Sequence, residues 1–379
     1  MNFSFATASK IIFGRHSSEK LPQLLGGRKR ILMVTGKNAD KAEALSSRFE
    51  KNSIVSLFRV EHEPTTEVVN EGTKLAREKQ CEAVVAIGGG SVIDAAKAIA
   101  AMAANKGDLL DYLEVIGAGK PLSEPPLFCI AAPTTAGTGA EVTKNSVIKS
   151  LEHNVKVSLR SDAMYPDIAL VDSVLTYSMP PELTASTGVD ALTHLLETFV
   201  SNQANPFIDM ICREGLTRIS RSLSSAYQDG SNESARTDMA MASMLGGMAL
   251  ANVKLGAVHG FAGPMGGMYP IPHGTVCASL VSAVIETNID ALKESGEDLS
   301  KYYELARILT GNENAVAEDA IVWTENLVSE LQIPTLSSFG LKEDDFAILV
   351  EKAKVASSMK GNPVVLNDEQ LTWILEKSL

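Results

Sequence analysis

Along the first half of the chain, hydrophobic and polar positions alternate between segments typical of a strand and segments with the period of a helix. Short apolar runs that end at Gly or Pro are typical of buried strands, and segments with helical spacing separate them. This alternation predicts a parallel sheet covered by helices on both faces. We predict strands at 30–35, 54–60, 83–87 and 127–132, helices at 40–51 (with Asp40 as N-cap), 66–79 and 91–104, and a later β-rich passage at 146–148, 155–159 and 168–172.

Beyond Pro180 nearly every segment has helical periodicity, which predicts a helical bundle. We therefore place a domain boundary there, giving an α/β domain at 1–180 and an all-α domain at 181–379. The helices are predicted at 183–201, 206–226, 233–252, 276–294, 299–308, 315–331, 343–356 and 367–377.

Composition narrows the class of protein. A chain of 379 residues with 45% hydrophobic and 21% charged residues is typical of a soluble globular protein. A net charge of -12 argues against nucleic acid or an anionic membrane as partner. The N-terminus lacks the pattern of a signal peptide, and no run of 18 apolar residues occurs, so we expect a cytoplasmic protein that does not span a membrane.

The four cysteines are widely spaced and lie in apolar segments. They form no Cys-x-x-Cys motif, so buried thiols are expected and no disulfide framework is implied. The residues are Cys81, Cys129, Cys212 and Cys277.

Two loops after predicted strands are suited to a dinucleotide. Gly88-Gly89-Gly90-Ser91 precedes a helix whose N–H groups and dipole favour a pyrophosphate. It is not a Gly-x-Gly-x-x-Gly fingerprint, because Ile93 takes the third glycine's place. Ser91 and Asp94 also fit a capping box, so each has a structural alternative. The second loop, 133–141, contains Thr134, Thr135 and Thr138, although such loops are often plain turns.

The second half contains a candidate metal site. Asp190 and His194 are four residues apart on a predicted helix, so both side chains lie on one face. Taken alone, such a pair is also typical of a surface contact. His259 and His273, however, are surrounded by small or apolar residues, where an unpartnered imidazole is costly. One carboxylate and three imidazoles suit Fe(II) or Zn(II), so we predict a catalytic divalent metal at these four residues.

Together these motifs resemble the iron-containing (group III) alcohol dehydrogenase family, over nearly the whole chain and in order. The matching stretches are 88–97, 133–143, 188–194 and 259–273. The resemblance implies the dehydroquinate synthase-like superfold, with a Rossmann-like NAD(P)-binding domain followed by a helical domain that holds the metal. It places the metal ligands on Asp190, His194, His259 and His273. The predicted cofactor-binding residues are Gly36, Gly89, Gly90, Ser91, Asp94, Thr134, Thr135, Thr138 and Lys156.

Two positions depart from the family pattern. Many members have a further histidine four residues after the third ligand, where this chain has Gly263, so the proton is expected to leave through water or the cofactor ribose. NAD-preferring members often end the first long strand with Asp. This chain has Thr35-Gly36-Lys37 instead, which favours NADP without excluding NAD, although Lys37 is also a plausible solvated loop residue.

The resemblance implies reversible oxidation of a small-molecule alcohol to an aldehyde or ketone. The metal, iron by family and zinc as the alternative, would polarise the substrate oxygen while hydride passes to or from the nicotinamide. A homodimer is expected. Rival hypotheses are an enzyme like glycerol dehydrogenase or dehydroquinate synthase, or a non-catalytic nucleotide-binding protein. Neither the alcohol nor the metal is fixed by the sequence.

Overall fold

The computed structural model describes residues 2–153 and 155–379. They form two compact units. The helical unit comprises 179–379 together with 136–138 and the first residues up to Phe5, and the α/β unit comprises 6–135 and 139–178. The domain boundary predicted near Pro180 had placed both short segments in the α/β part, and it stays a prediction.

The α/β unit is built on a six-stranded parallel sheet and a separate antiparallel hairpin. The strand order of the sheet is β1-β8-β5-β4-β2-β3, and β6 pairs with β7. The strands are β1 (Lys10–Phe13), β2 (Arg30–Thr35), β3 (Ile54–Arg59), β4 (Ala83–Gly88), β5 (Phe128–Pro133), β6 (Asn145–Ser150), β7 (Val155–Arg160) and β8 (Ile168–Val171).

Alternate residues of the central strands enter two different cores. On β4, Val84 and Ala86 join one buried cluster, whereas Ala83, Val85 and Ile87 join the other. Successive side chains of a strand point to opposite faces, so a continuous apolar run is needed where both faces are covered. The helices of this unit are α1 (Leu21–Leu24), α2 (Asp40–Ser46), α3 (Thr66–Glu78), α4 (Gly90–Ala104) and α5 (Leu109–Tyr112).

The carboxyl ends of three neighbouring strands meet at one edge of the sheet. Gly88 of β4 is in register with Pro133 of β5, and Thr35 of β2 is in register with Ile87 of β4. The order reverses between β2 and β4, because β3 lies beyond β2 and β5 beyond β4. Ligands of doubly wound sheets bind beyond the carboxyl ends of the strands at such a switch point.

The helical unit consists of nine α-helices within its described residues, packed around one extended apolar core. They are α6 (Pro181–Val200), α7 (Pro206–Gln228), α8 (Glu233–Leu250), α9 (Ala257–Met268), α10 (His273–Ser295), α11 (Ser300–Thr310), α12 (Asp319–Glu330), α13 (Phe346–Val355) and α14 (Asp368–Ser378).

Helix α10 is the one described helix whose length and composition would suit a membrane span. Its most apolar window is 78% buried inside the protein. Such burial is typical of a core helix, so the feature is weak support for a membrane location.

The predicted fold class, a parallel α/β part followed by a helical part, is confirmed. Four elements are absent from the prediction: strand β1 and helices α1, α5 and α9. The strand predicted at 168–172 joins the main sheet as β8 and not the hairpin. Asp40 is the first residue of α2 and Ala39 is its N-cap, so the predicted cap was wrong. All four cysteines are buried and free, as predicted.

Candidate metal centre and glycine-loop edge

Helix α6 presents three polar side chains on one face. Asp190 and His194 lie one turn apart, with Asp190 Oδ1 3.6 Å from His194 Nε2 and both side chains almost fully buried. Glu197 follows three residues after His194 and is 2% exposed. Pro181 occupies the first position of the helix, where its missing N–H costs nothing.

Glu197 positions His259, which lies on helix α9. Its Oε2 lies 2.6 Å from His259 Nδ1, and its Oε1 accepts a hydrogen bond of 2.7 Å from the backbone N–H of Val258. The amides of the first turn of α9 have no partner within that helix, so a carboxylate there is well placed. A carboxylate on Nδ1 leaves Nε2 free to act as a ligand.

His273 is brought into the group by the close approach of α10 to α6. It is the first residue of α10, and its neighbour Gly274 lies directly against α6. A Cβ at Gly274 would stand 2.0 Å from the backbone oxygen of Ser186, so a side chain there would push the helices apart. His273 is 45% exposed on its side chain, in contrast to the buried ligands beside it.

Three imidazole nitrogens converge on a single carboxylate oxygen. Asp190 Oδ1 lies 3.6 Å from Nε2 of His194, 3.5 Å from that of His259 and 3.5 Å from that of His273. Ligand atoms bound tetrahedrally at about 2.1 Å from a metal are separated from one another by about 3.4 Å. These four residues therefore fit a divalent metal.

A thiol lies in the same group. Cys277 Sγ is 3.7 Å from Asp190 Oδ1 and 3.8 Å from His259 Nε2. The donor atoms of Asp190, His259, His273 and Cys277 all lie within 4.8 Å of one another. Two four-donor sets are thus present, which share three residues and differ in whether His194 or Cys277 is the fourth.

The electrostatics of the group favour the protonation states that metal ligands need at Asp190 and His194, but not at His259. Burial alone would raise the pKa of Asp190, but the surrounding imidazoles lower it overall, so the carboxylate stays ionised. Burial lowers the pKa of His194 to about 3, which keeps this imidazole neutral with a lone pair available. The pKa of His259 is raised, because its anionic neighbours outweigh the opposing effect of burial.

The sheet edge of the α/β unit brings together most of the predicted cofactor residues. Gly89 is the N-cap of α4, and no described side chain caps that helix. A Cβ at Gly89 would lie 3.3 Å from the side chain of Thr135, in the loop after β5. Gly36 follows β2 at the same edge. Uncapped amides and small residues form a cradle that fits a pyrophosphate.

Ser91 and Asp94 do not form the predicted capping box. The helix begins at Gly90, so Ser91 is its second residue and cannot be the N-cap. The Asp94 carboxylate lies 3.0 Å from the buried Lys97 Nζ and accepts a hydrogen bond of 3.0 Å from the amide of Val147. Asp94 therefore fastens the β6–β7 hairpin to α4, and the capping prediction was wrong for both residues.

The remaining predicted cofactor residues have varied surroundings. The amide of Thr134 donates to the carbonyl of Gly88, which ties the two loops together. Lys156 on β7 forms an ion pair of 2.6 Å with Glu63. Thr138 belongs to the short segment that is grouped with the helical unit.

Two polar residues of the metal group escaped prediction. Glu197 stands seven residues after Asp190 and three after His194, so helical spacing could have identified it. Cys277 stands four residues after His273, one turn further along α10. Its apolar neighbours in sequence favoured the interpretation as a buried structural thiol.

A parallel sheet with a glycine-rich switch point, combined with a buried carboxylate–imidazole group, is typical of a metal-dependent oxidoreductase. Comparison with known proteins makes this specific. Residues 8–173 match the family model described as iron-containing alcohol dehydrogenase. Residues 184–379 match the one described as the C-terminal part of the Fe-containing alcohol dehydrogenase family.

Individual proteins agree with the family models. The 1,3-propanediol dehydrogenase of Klebsiella pneumoniae is 36% identical over 94% of this chain and 92% of its own length. A crystal structure of 1,3-propanediol oxidoreductase has a TM-score of 0.92 at 32% identity and covers 100% of both chains. A sulfoacetaldehyde reductase from Bifidobacterium kashiwanohense in complex with NAD+ has a TM-score of 0.91 at 29% identity, covering 100% of this chain and 99% of that one.

The chain belongs to the iron-containing alcohol dehydrogenase family. It is an NAD(P)-linked oxidoreductase that interconverts alcohols and aldehydes or ketones.

Proposed function

We propose that Asp190, His194, His259 and His273 hold the catalytic divalent metal. The observation that carries this proposal is the convergence of three Nε2 atoms on Asp190 Oδ1 at 3.5–3.6 Å. When bound, the metal supplies Lewis-acid polarisation of the substrate oxygen. Asp190 offsets one of its positive charges, and Glu197 fixes the ring of His259. Iron is proposed from the family, with zinc as the alternative.

We propose that the α/β part, 1–180, binds the dinucleotide and that the helical part, 181–379, carries the metal. The support is the cradle at the sheet edge, formed by Gly36, by Gly89-Gly90-Ser91 and by the Thr134-Thr135 loop, with Thr138 following in sequence. Asp94 acts by bracing this edge through Lys97 and Val147. A cofactor contact by Lys156 requires that it exchange its partner Glu63.

NADP is the proposed cofactor. Strand β2 ends at Thr35, and Gly36 and the exposed Lys37 follow where a ribose-binding carboxylate would stand. Without that carboxylate, and with a cation beside the gap, a 2′-phosphate is tolerated.

No side chain at position 263 can relay a proton. Gly263 is exposed, and a Cβ there would meet nothing within 4 Å. We propose that the proton leaves through water or the cofactor ribose, as the missing histidine implies.

The substrate proposed is a small alcohol or its aldehyde, in line with the propanediol and sulfoacetaldehyde enzymes to which this chain is similar. We propose a cytoplasmic homodimer that needs neither nucleic acid nor a membrane. Size-exclusion chromatography with light scattering checks the dimer.

The decisive experiment is a substrate screen on protein of assayed metal content. Small aldehydes are offered with NADPH and with NADH, and the nicotinamide absorbance is followed. We expect stoichiometric cofactor oxidation, faster with NADPH. A lyase like dehydroquinate synthase would show no net cofactor turnover, and a non-catalytic nucleotide-binding protein would show neither turnover nor product.

A further inference from the structure

The first turn of α9 is capped by side chains from other parts of the helical unit. Its N-cap residue, Gly256, has no side chain that could fill this role. The amide of Val258 donates to Glu197, and the amide of Ala257 donates to Oδ1 of Asn362 at 3.1 Å. Since these amides have no acceptor within the helix, leaving either of them unpaired in a buried turn would be costly. Asn362 therefore holds the turn that carries the third proposed metal ligand.

The side chain of Asn362 is held in one orientation by a reciprocal pair with Asn288 of α10. Both residues are buried. Nδ2 of Asn362 donates to Oδ1 of Asn288 at 2.7 Å, and Nδ2 of Asn288 donates to Oδ1 of Asn362 at 3.3 Å. Nδ2 of Asn362 also donates to the carbonyl of Val364 at 2.8 Å. A buried amide with its donors and its acceptor engaged cannot rotate without losing hydrogen bonds, so it offers α9 an acceptor in a fixed position.

The backbone of the segment 359–362 is fixed between the end of α6 and the start of α9. A Cβ at Gly361 would stand 2.0 Å from the carbonyl oxygen of Leu255, so the two chain segments touch there. Asn202, just after α6, donates from its backbone amide to the carbonyl of Gly361 at 3.1 Å. Its Nδ2 donates to the carbonyl of Asn362 at 2.9 Å. The segment therefore joins the two helices that carry three of the proposed ligands.

We propose that Asn362 is a positioning residue of the metal centre, an inference that rests on the proposed metal site. It fixes the start of α9, and through that turn the distance of 3.5 Å between Nε2 of His259 and Oδ1 of Asp190. Glu197 orients the imidazole ring, whereas Asn362 places the backbone that carries it. Groups that hold metal ligands in place typically change metal affinity by about 10–100-fold when they are removed.

The coupling between Asn362 and the metal must act in both directions. If docking of the segment 359–362 strengthens metal binding, a bound metal stabilises the docked segment by the same factor. The backbone amide of Asn362 donates to the carbonyl of Met359 at 3.0 Å, so its hydrogen exchange reports whether the segment is docked. An asparagine with a purely structural role would show no dependence on the metal.

Zinc affinity, measured by competition with a chelator, tests the positioning role. Asn362→Ala should lower it about tenfold. The matched control is Asn105→Ala in the α/β unit, because Asn105 is also buried and its Nδ2 donates to the carbonyls of Ala101 and Glu124. Both variants lose buried hydrogen bonds and some stability, but only Asn362→Ala should lose zinc affinity. Wild-type affinity in Asn362→Ala, or an equal loss in both variants, overturns the proposal.

Hydrogen exchange of the wild-type protein with and without zinc decides the question even if Asn362→Ala does not fold. Zinc should slow exchange in the peptide 358–364 about tenfold, although this peptide contains none of the proposed ligands. Exchange around Asn105 should stay unchanged, and Asp190→Ala should show no slowing. Unchanged exchange in 358–364 of zinc-loaded protein overturns the role of Asn362 and leaves the metal centre intact. Failure of the wild-type protein to bind zinc overturns both.

Discussion

In the helical unit the candidate site is made of side chains that carry charge or lone pairs, whereas at the sheet edge of the α/β unit it is made of glycines, small hydroxyls and backbone amides. Asp190, His259 and Glu197 are buried and held by one another. Gly89 and Thr135 contribute shape and proximity. A site made of side chains loses its ligand when a functional group is removed. A site made of backbone amides and small residues loses its ligand when added atoms fill the space. Substitutions in the two units should therefore damage different quantities.

The largest effect is expected from Asp190→Ala. The carboxylate is the common neighbour of three imidazoles, so its loss removes both a ligand and the compensating charge. We expect kcat/KM to fall by about a thousandfold or more, equivalent to about 4 kcal/mol. Metal content should fall with it, as measured by mass spectrometry. Asp290→Asn on the exposed side of α10 is the control and should leave both unchanged.

A buried carboxyl in the α/β unit should affect stability and not metal binding. Burial raises the pKa of Glu141 from 4.5 to about 7, against the weaker opposing effects of a backbone hydrogen bond and Lys97. The folded state therefore holds a proton that the unfolded state has lost, and stability falls as pH rises from about 4.5 to 7. Glu141→Gln should remove this loss, worth about 3 kcal/mol above pH 7.

Urea unfolding at pH 5 and pH 8 measures the Glu141 effect. The free energy of unfolding of Glu141→Gln should exceed that of the wild-type protein at pH 8 and differ little from it at pH 5. If the free energy of unfolding rose equally at both pH values, ionisation of Glu141 would not be the cause of the stability difference.

Glu197→Gln tests the positioning of His259. The amide can still accept one hydrogen bond, but it lacks the charge that orients Nδ1. We expect metal affinity to fall by about 10–100-fold, with the KM for the cofactor unchanged. Competition with a chelator gives the affinity, and Glu294→Gln on the exposed end of α10 serves as the matched control. A change in cofactor KM with intact metal affinity would contradict this role.

Gly89→Ala should have the opposite effect to Glu197→Gln: the KM for the cofactor should rise while metal affinity stays unchanged. The added Cβ stands 3.3 Å from Thr135 and intrudes on the cradle, so cofactor binding weakens while the metal group is untouched. We expect a rise of about tenfold in cofactor KM, equivalent to about 1.4 kcal/mol. Gly267→Ala, where a Cβ meets nothing within 4 Å, is the control. Unaltered cofactor KM in Gly89→Ala would remove the loop from the binding site.

The same contrast explains what the sequence could predict. The apolar run of β4 and its glycine stop are local signals, and Asp190 and His194 are linked by helical spacing. Helix α9 escaped prediction because it contains several glycines and Pro264, all poor helix formers. It is stabilised by burial of Phe261 and Met265, which is a tertiary effect.

The partners of the metal group were the least predictable part. The contacts of Glu197 with His259 and of Cys277 with Asp190 join residues 62 and 87 positions apart. No local pattern encodes such distances. Strand β1 was missed for a similar reason, since its four residues become a strand only by pairing with β8.

The most direct test of the account is a metal titration of metal-free protein, with NADPH-dependent aldehyde reduction as the readout. We predict that activity rises with added iron(II) or zinc(II), reaches its plateau at one equivalent per chain, and remains absent in Asp190→Ala at every concentration. Full activity in the metal-free protein, or equal restoration of Asp190→Ala, would contradict the claim that this buried carboxylate–imidazole group holds the catalytic metal.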